Sequence, residues 1–239
     1  MGRDAQTALP DPEVNLGDVS RFEDSVDRPL PALDLRVVLF TVADARLLIA
    51  LTNSGTGFEL PRGLPSPAET LDTTARRIVL ETIQVHEQYL EQLYTLSVHE
   101  GASWSVIISY VGLVGAPPQV AVAHAGCWRA VADASLAPTD RMVVDYALVR
   151  LRAKLGYTNI AFHLLPERFT LSELQETYET ILARRLDKRN FRRRMIASGI
   201  LLPTGDKRRE GSHRPATLYR FKPGDDRETY LTPPWAEGA

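Results

Sequence analysis

The chain has 239 residues, 44% hydrophobic and 24% charged, which are ordinary proportions for one large or two modest globular domains. They exclude a wholly disordered chain and a collagen-like repeat, and the single Cys127 excludes a disulfide scaffold. The net charge of −2 hides an asymmetry: Arg184–Lys222 holds 13 basic and three acidic residues, a balance of +10, against −12 for the rest. Such a basic segment on an acidic body is either a nucleic-acid or acidic-surface footprint or a solvated basic helix.

Residues 1–31 scatter apolar positions among Asp and Pro and are expected to form a flexible arm. Asp4, Asp11, Glu13 and Asp18 make that arm too acidic for a signal peptide. No apolar run approaches the roughly 20 residues of a membrane helix; Val37–Phe40 is strand-sized. With Cys127 unpaired, a reducing, cytoplasmic setting is expected. Strands are predicted at Leu35–Val42 and Arg46–Leu51, turning at Ala43-Asp44-Ala45. Asn53–Gly57 is a loop by composition. Leu71, Ala75, Ile78 and Val79 recur at helical spacing and predict a helix over Ala68–Thr82. Tyr89–Ser97 and Ser103–Val114 read as further strands, and Cys127–Ala130 as a short extended piece. A second long helix, Asp140–Leu155, carries Met142, Val143, Tyr146, Val149 and Leu151 close to helical period. This α/β unit of roughly 125 residues is large enough for its own core.

From Gly156 the pattern changes. Thr170-Leu171-Ser172-Glu173 is a capping box, opening a helix with Leu171, Leu174, Tyr178, Ile181 and Leu182 on one face. Asp187 can cap a second helix, with Phe191 and Met195 four residues apart and Gly199 as its stop. Ile200–Pro203 and Ala216–Phe221 read as strands around a basic loop containing Gly205 and Gly211. Helix, short turn, basic helix and β-hairpin follow one another in winged helix-turn-helix order. With Phe191 and Met195 inward, Lys188, Arg189, Asn190, Arg192 and Arg193 fall on and around the exposed side. There Arg can match guanine and Asn adenine edges in the major groove, while others of the set meet phosphate. Lys207, Arg208, Arg209, His213 and Arg214 are placed on the hairpin tip as a wing, and Thr170 joins the candidate DNA-contacting set. The arginine triplet Arg192–Arg194 alone would be a solvated face; cap, spacing and wing together point to duplex DNA. Aromatic residues are not interleaved with these cations, which argues against a single-strand stacking platform.

Gly63, Glu69, Arg77, Val79, Glu81 and Val85 fit the spacing G-x5-E-x7-R-E-U-x-E-E-x-G-U, with U an apolar aliphatic residue. Over this stretch the chain resembles the Nudix box. Its carboxylates lie at i, i+3 and i+4 of a helix, where they can hold Mg²⁺ against a pyrophosphate, and the metal supplies an activated water. Here Ile78, Thr82 and Gln84 stand where the pattern has Glu, Glu and Gly. One metal carboxylate of three, Glu81, remains, so the resemblance implies the fold with its hydrolysis removed. Glu81 alone reads equally as a solvated acid, and Glu69 with Arg77 as organisers of the loop–helix turn. Arg62 replaces the Gly that usually follows Leu-Pro in this family. Its guanidinium then stands at the pocket mouth, available to an anionic ligand or to Glu59 or Glu69.

Tyr89–Thr95, Phe169–Gln175 with Tyr178-Glu179, Lys188–Arg193, and Arg214–Ala216 with Leu218–Phe221 are similar to segments of the Nudix-related transcriptional regulators. That resemblance implies a repressor, often of NAD-metabolism or sugar-utilisation genes, with a hydrolysis-dead Nudix effector domain and a C-terminal winged helix. The expected fold class is α+β. A Nudix-like α/β/α sandwich is expected over residues 32–155, a winged helix-turn-helix over 156–222 and a tail over 223–239. Expected partners are a double-stranded DNA operator, a second copy of the chain in a homodimer, and a phosphate- or sugar-bearing effector such as ADP-ribose or a related nucleotide. Arg62, Arg77 and Glu81 are the candidate effector contacts. No catalytic residue, metal, cofactor or membrane partner is expected. Two rival readings stand beside this one: a hydrolase of nucleoside-diphosphate derivatives with an unusual metal site, and an adaptor whose basic tail binds an acidic protein.

Overall fold

The computed structural model describes residues 31–84, 86–87, 89–100, 103–115, 122, 126–209 and 215–222. The arm ahead of Pro31, the tail 223–239, Val85, His213 and Arg214 lie outside the described residues.

Val37–Phe40 is apolar at four consecutive positions because both faces of its strand are covered. In β1 (Ala32–Ala43), Leu35, Val37 and Leu39 join one buried cluster, while Val38 and Phe40 join another on the opposite face. β2 (Arg46–Asn53) returns antiparallel, with Phe40 opposite Ile49. The connection is the two-residue turn Asp44-Ala45, whose φ angles of 50° and 54° suit a tight hairpin; Ala43, expected in the turn, stays in the strand. On its other side β1 runs parallel to β6 (Ser103–Leu113), with Leu35 opposite Ile108. β5 (Tyr89–Glu100) pairs antiparallel with β6 and runs three residues beyond the predicted Ser97, because its pairing continues to Glu100 opposite Ser103. The short β3 (Phe58–Glu59) and β7 (Cys127–Ala130) pair with β2, and β4 (Arg62–Gly63) with β1. Gly112 on β6 permits a close approach: a Cβ there would lie 2.7 Å from Leu39 Cδ2.

One face of this sheet is covered by α1 (Leu71–Ile83), whose Ala75, Ile78, Val79 and Ile83 pack on Leu35, Val37, Leu39 and Tyr110. The helix starts at Leu71 rather than the predicted Ala68, because the Thr70 hydroxyl accepts from the Thr73 backbone N–H and caps it there. The other face is covered by α2 (Pro138–Leu155), which begins two residues before the predicted Asp140, since Pro suits the first helical turn. Its inward residues are Val143, Val144, Ala147, Leu151 and Leu155. Met142, Tyr146 and Val149, which the periodicity turned inward, are 48%, 46% and 64% exposed. A helix that is apolar on more than one side does not select its buried face by period alone.

A 3₁₀ turn over Ile160–Leu164 leads to β8 (Phe169–Thr170), α3 (Leu171–Leu182), α4 (Lys188–Ala197), β9 (Leu201–Arg208) and β10 (Ala216–Phe221). The last two strands and β8 form a small antiparallel sheet in the order β8-β10-β9. Leu174, Tyr178 and Ile181 of α3 meet Phe191 and Met195 of α4, with the Tyr178 and Phe191 rings edge-on at 5.3 Å. These side chains belong to the same buried cluster as Phe40, Ile49, Val143 and Leu151, so the large sheet and the helix pair share one core. Arg152 adds a polar tie from α2, its Nε donating to the Ile181 carbonyl at 2.8 Å. β9 extends to Arg208 rather than stopping at Pro203, because the ladder continues through Lys207 opposite Thr217. No described helix is long and apolar enough to cross a membrane.

Candidate functional site

The turn from β4 into α1 is organised by one guanidinium. Arg77 Nε and Nη2 donate to Glu69 Oε1 and Oε2 at 2.9 and 3.0 Å, and Nη2 also to the Leu64 carbonyl at 3.0 Å. Its Nη1 lies 3.4 Å from both Glu81 carboxylate oxygens. The hydrogen bonds from Arg77 hold Glu69 below the usual carboxylate range, and the same pairing raises Arg77. Arg77 and Glu81 are therefore brought together, whereas Arg62 belongs to a second cluster. It lies 2.9 Å from Asp34 Oδ2 and 3.4 Å from Glu59 Oε2. Asp34 also takes Arg36 at 2.8 Å, and Arg36 reaches Asp140 in the first turn of α2 at 2.5 Å. The second Asp140 oxygen accepts from the Leu60 N–H at 3.1 Å. These contacts run from Arg62 on β4, across β1, to α2.

The two missing box carboxylates have been replaced by groups that fill space or bond inward. Ile78 is buried, and a Cβ on Gly63 would stand 3.2 Å from its Cγ1 and Cδ1. Its methyl groups therefore seal α1 against β4. Thr82 is also buried and donates its hydroxyl to the Ile78 carbonyl at 2.7 Å, a bond back to its own helix. Gln84 closes α1 at φ 55°, the left-handed conformation that glycine adopts without strain. The backbone turn of the box thus persists where its glycine is lost. Among the described residues, no group of three or more His, Cys, Asp or Glu could hold a metal ion.

The other candidate site is the basic surface of α4. Asp187 caps this helix by accepting from the Asn190 N–H at 2.7 Å. With Phe191 and Met195 inward, the opposite side carries Arg189, Arg193 and Ile196 at i, i+4 and i+7. Ile196 is 56% exposed; no motif singles it out in the sequence, and its spacing from Arg189 is the signal that finds it. Asn190 Oδ1 accepts from Arg193 and Arg194 at 3.0 and 3.2 Å and so braces the arginines. Lys188 and Arg192, one turn apart, flank the buried side, with Arg192 Nη2 donating to Ser172 Oγ at 2.9 Å.

The wing residues divide. Lys207 and Arg208, expected on the hairpin tip, lie within β9 because the ladder runs on, and Arg209 follows its end in an exposed position. Arg208 turns to α3, 2.5 Å from Glu173 Oε2. Burial opposes the charge of Glu173, yet the Thr170 N–H and Arg208 hold its carboxyl below the usual range. Thr170 is buried, and its hydroxyl accepts from the Glu173 N–H at 3.2 Å in a complete capping box.

A sandwich of helices on a mixed sheet, carrying a Nudix-like box in which Ile78 and Thr82 replace two of three carboxylates and sharing its core with a winged helix-turn-helix, defines a Nudix-fold regulator. Residues 161–221 match the family model described as the NrtR DNA-binding winged helix domain. Over 210 residues the chain is 32% identical to the ADPR responsive transcriptional repressor NtrR of Acinetobacter baylyi, covering 82% of this chain and 84% of that one. It is similar to Shewanella oneidensis NrtR solved with a 27mer DNA, at 31% identity and a TM-score of 0.71 over 80% of this chain and 93% of that one. Without DNA the same protein gives a TM-score of 0.73 at 29% identity, covering 84% of this chain and 99% of its own. A MutT/nudix family protein from Enterococcus faecalis, 16% identical, shares the fold with a TM-score of 0.62 over 87% of this chain and 95% of its own. The chain belongs to the NrtR family of Nudix-related transcriptional regulators.

Proposed function

We propose that the chain is a cytoplasmic, homodimeric DNA-binding repressor that senses ADP-ribose, or a related nucleotide or sugar phosphate, in its Nudix fold without hydrolysing it. The observation that carries this reading is the outward face of α4, where Arg189 and Arg193 stand exposed on a capped helix beside a wing. Those two guanidinium groups reach guanine edges in the major groove, and Ile196 lies against thymine methyl groups. Lys207 and Arg209 follow the phosphate backbone. A dimer sets two such helices in half-sites about one helical turn apart. Catalytic silence is supported by Ile78 packed at Gly63 and by Thr82 bonded back into its helix, which leave no carboxylate at either place.

Effector and DNA communicate through Arg62. An anionic ligand that draws this guanidinium competes with Asp34, which is shared with Arg36 and through it with Asp140 at the start of α2. Such a ligand shifts DNA affinity by the difference between its affinities for the two arrangements. The test is fluorescence anisotropy on the gene's own upstream fragment and on a scrambled duplex, with and without ADP-ribose. Preference for the upstream fragment, altered by ADP-ribose, is expected; equal binding to both duplexes overturns the reading. With Mg²⁺ or Mn²⁺, ADP-ribose should be hydrolysed no faster than by the Glu81→Gln variant, and Glu81-dependent turnover would restore the hydrolase alternative.

A further inference from the structure

Between α3, α4 and β10 lies a cleft of about 630 Å³, lined among others by Ser172, Lys188, Arg192, Arg208 and Thr217. Three cations from two elements meet there. Arg208 is balanced by Glu173 at 2.5 Å. No carboxylate among the described residues pairs with Lys188 or Arg192, and the latter meets only the neutral hydroxyl of Ser172 at 2.9 Å. Arg192 Nε is buried and has no hydrogen-bond partner among the described residues. A buried guanidinium N–H without an acceptor is costly, and its natural complement is an anionic oxygen. The hydroxyls of Ser172 and Thr217 supply further donors. Arg192 is also held sideways against the first turn of α3, away from the face that carries Arg189 and Arg193.

We infer that this cleft seats a phosphodiester of the DNA backbone, held by Arg192 and Lys188 with the Ser172 and Thr217 hydroxyls, so that Arg192 reads no base although it stands on the recognition helix. The inference rests on the DNA-binding function proposed above. Phosphate contacts set the register of a protein on duplex DNA and are the same for every sequence. Arg192 therefore contributes affinity, and base discrimination is left to its neighbours on the outward face.

The experiment compares wild type, Arg192→Ala, Arg192→Lys and Arg189→Ala as full-length proteins on the upstream fragment and a scrambled duplex at several salt concentrations. Arg192→Ala should weaken both duplexes by the same factor, about tenfold, and flatten the slope of log K against log salt by about 0.9, one phosphate's worth. Arg192→Lys should keep the slope and the preference between duplexes, which covers the case in which the alanine variant does not fold. Arg189→Ala should weaken the upstream fragment alone. A phosphate-bearing metabolite offers the same chemistry to the cleft, so ADP-ribose affinity is measured by calorimetry on each variant and should be unchanged by Arg192→Ala. A larger loss on the upstream fragment than on the scrambled duplex, in either Arg192 variant, overturns the inference. So does loss of ADP-ribose binding with DNA binding retained. If wild type binds neither duplex, the DNA-binding reading itself fails and takes this inference with it.

Discussion

Two of the arginine-bearing helices, α1 and α4, use the same chemistry to opposite ends. On α1, Arg77 is consumed by Glu69, Glu81 and the Leu64 carbonyl. On α4, among the described residues, Arg193 meets only the side-chain oxygen of Asn190, and Arg192 only the hydroxyl of Ser172. Guanidinium groups matched by carboxylates build a turn; those matched by neutral oxygens keep their charge available to an anionic partner. Sequence motifs mark both helices as functional, but only the surroundings tell which charges are already spent.

The largest effect should come from removing what aims the α4 charges. Phe191→Ala opens a cavity against Tyr178 and should cost about 3–5 kcal/mol in urea unfolding, with DNA binding lost together with the helix pair. Binding retained at full affinity would show that the α3–α4 packing does not position the basic face. Next comes a charge forced into the spent side. Ile78→Glu sets a carboxylate in the apolar contact with Gly63 and should destabilise by about 2–4 kcal/mol, without Mg²⁺-dependent hydrolysis. A stable variant that Mg²⁺ stabilises further would erase the contrast between the helices.

Arg189→Ala or Arg193→Ala should cost about 1–3 kcal/mol of discrimination between the upstream and scrambled duplexes, with an unchanged melting temperature. A fall in stability instead would move these arginines to the structural class. The smallest effect is in acid. Arg77 holds Glu69 below the ordinary value of 4.5; at Glu91 and Glu173 burial opposes the shift and is outweighed by Arg150 with Lys154, and by the Thr170 N–H with Arg208. Each folded value lies under the unfolded one, so the unfolded chain takes up protons first as pH falls. Their stabilisation is complete above pH 4.5 and declines below it, and Arg77→Ala should make the urea midpoint less sensitive to pH in that window. An identical pH profile in the variant would detach Glu69 from the stability of the turn.

Much of this was legible in the chain, and unevenly so. The α1 face through Ala75, Ile78 and Val79 and the α3 cap at Thr170 follow from local spacing, and the structure places them accordingly. The inward face of α2 does not, because Met142, Tyr146 and Val149 are as apolar as the residues that the sheet covers. Strand partners are equally remote: Leu35 finds Ile108 in parallel and Arg36 finds Asp140, through contacts no local pattern encodes. Arg208 escaped for a simpler reason. A strand that outruns its turn signals carries its side chains from the tip back to the helix.

The core that joins sheet and helices has an engineering consequence. Leu151 and Leu155 at the end of α2 lie in one buried cluster with Leu164, Phe169 and Leu174. Severing the chain at Gly156 would strip apolar surface from both halves at once, so the reading head cannot be transplanted as a free-standing cassette. A working chimaera has to carry the inner face of α2 along with it, or rebuild that face in the recipient.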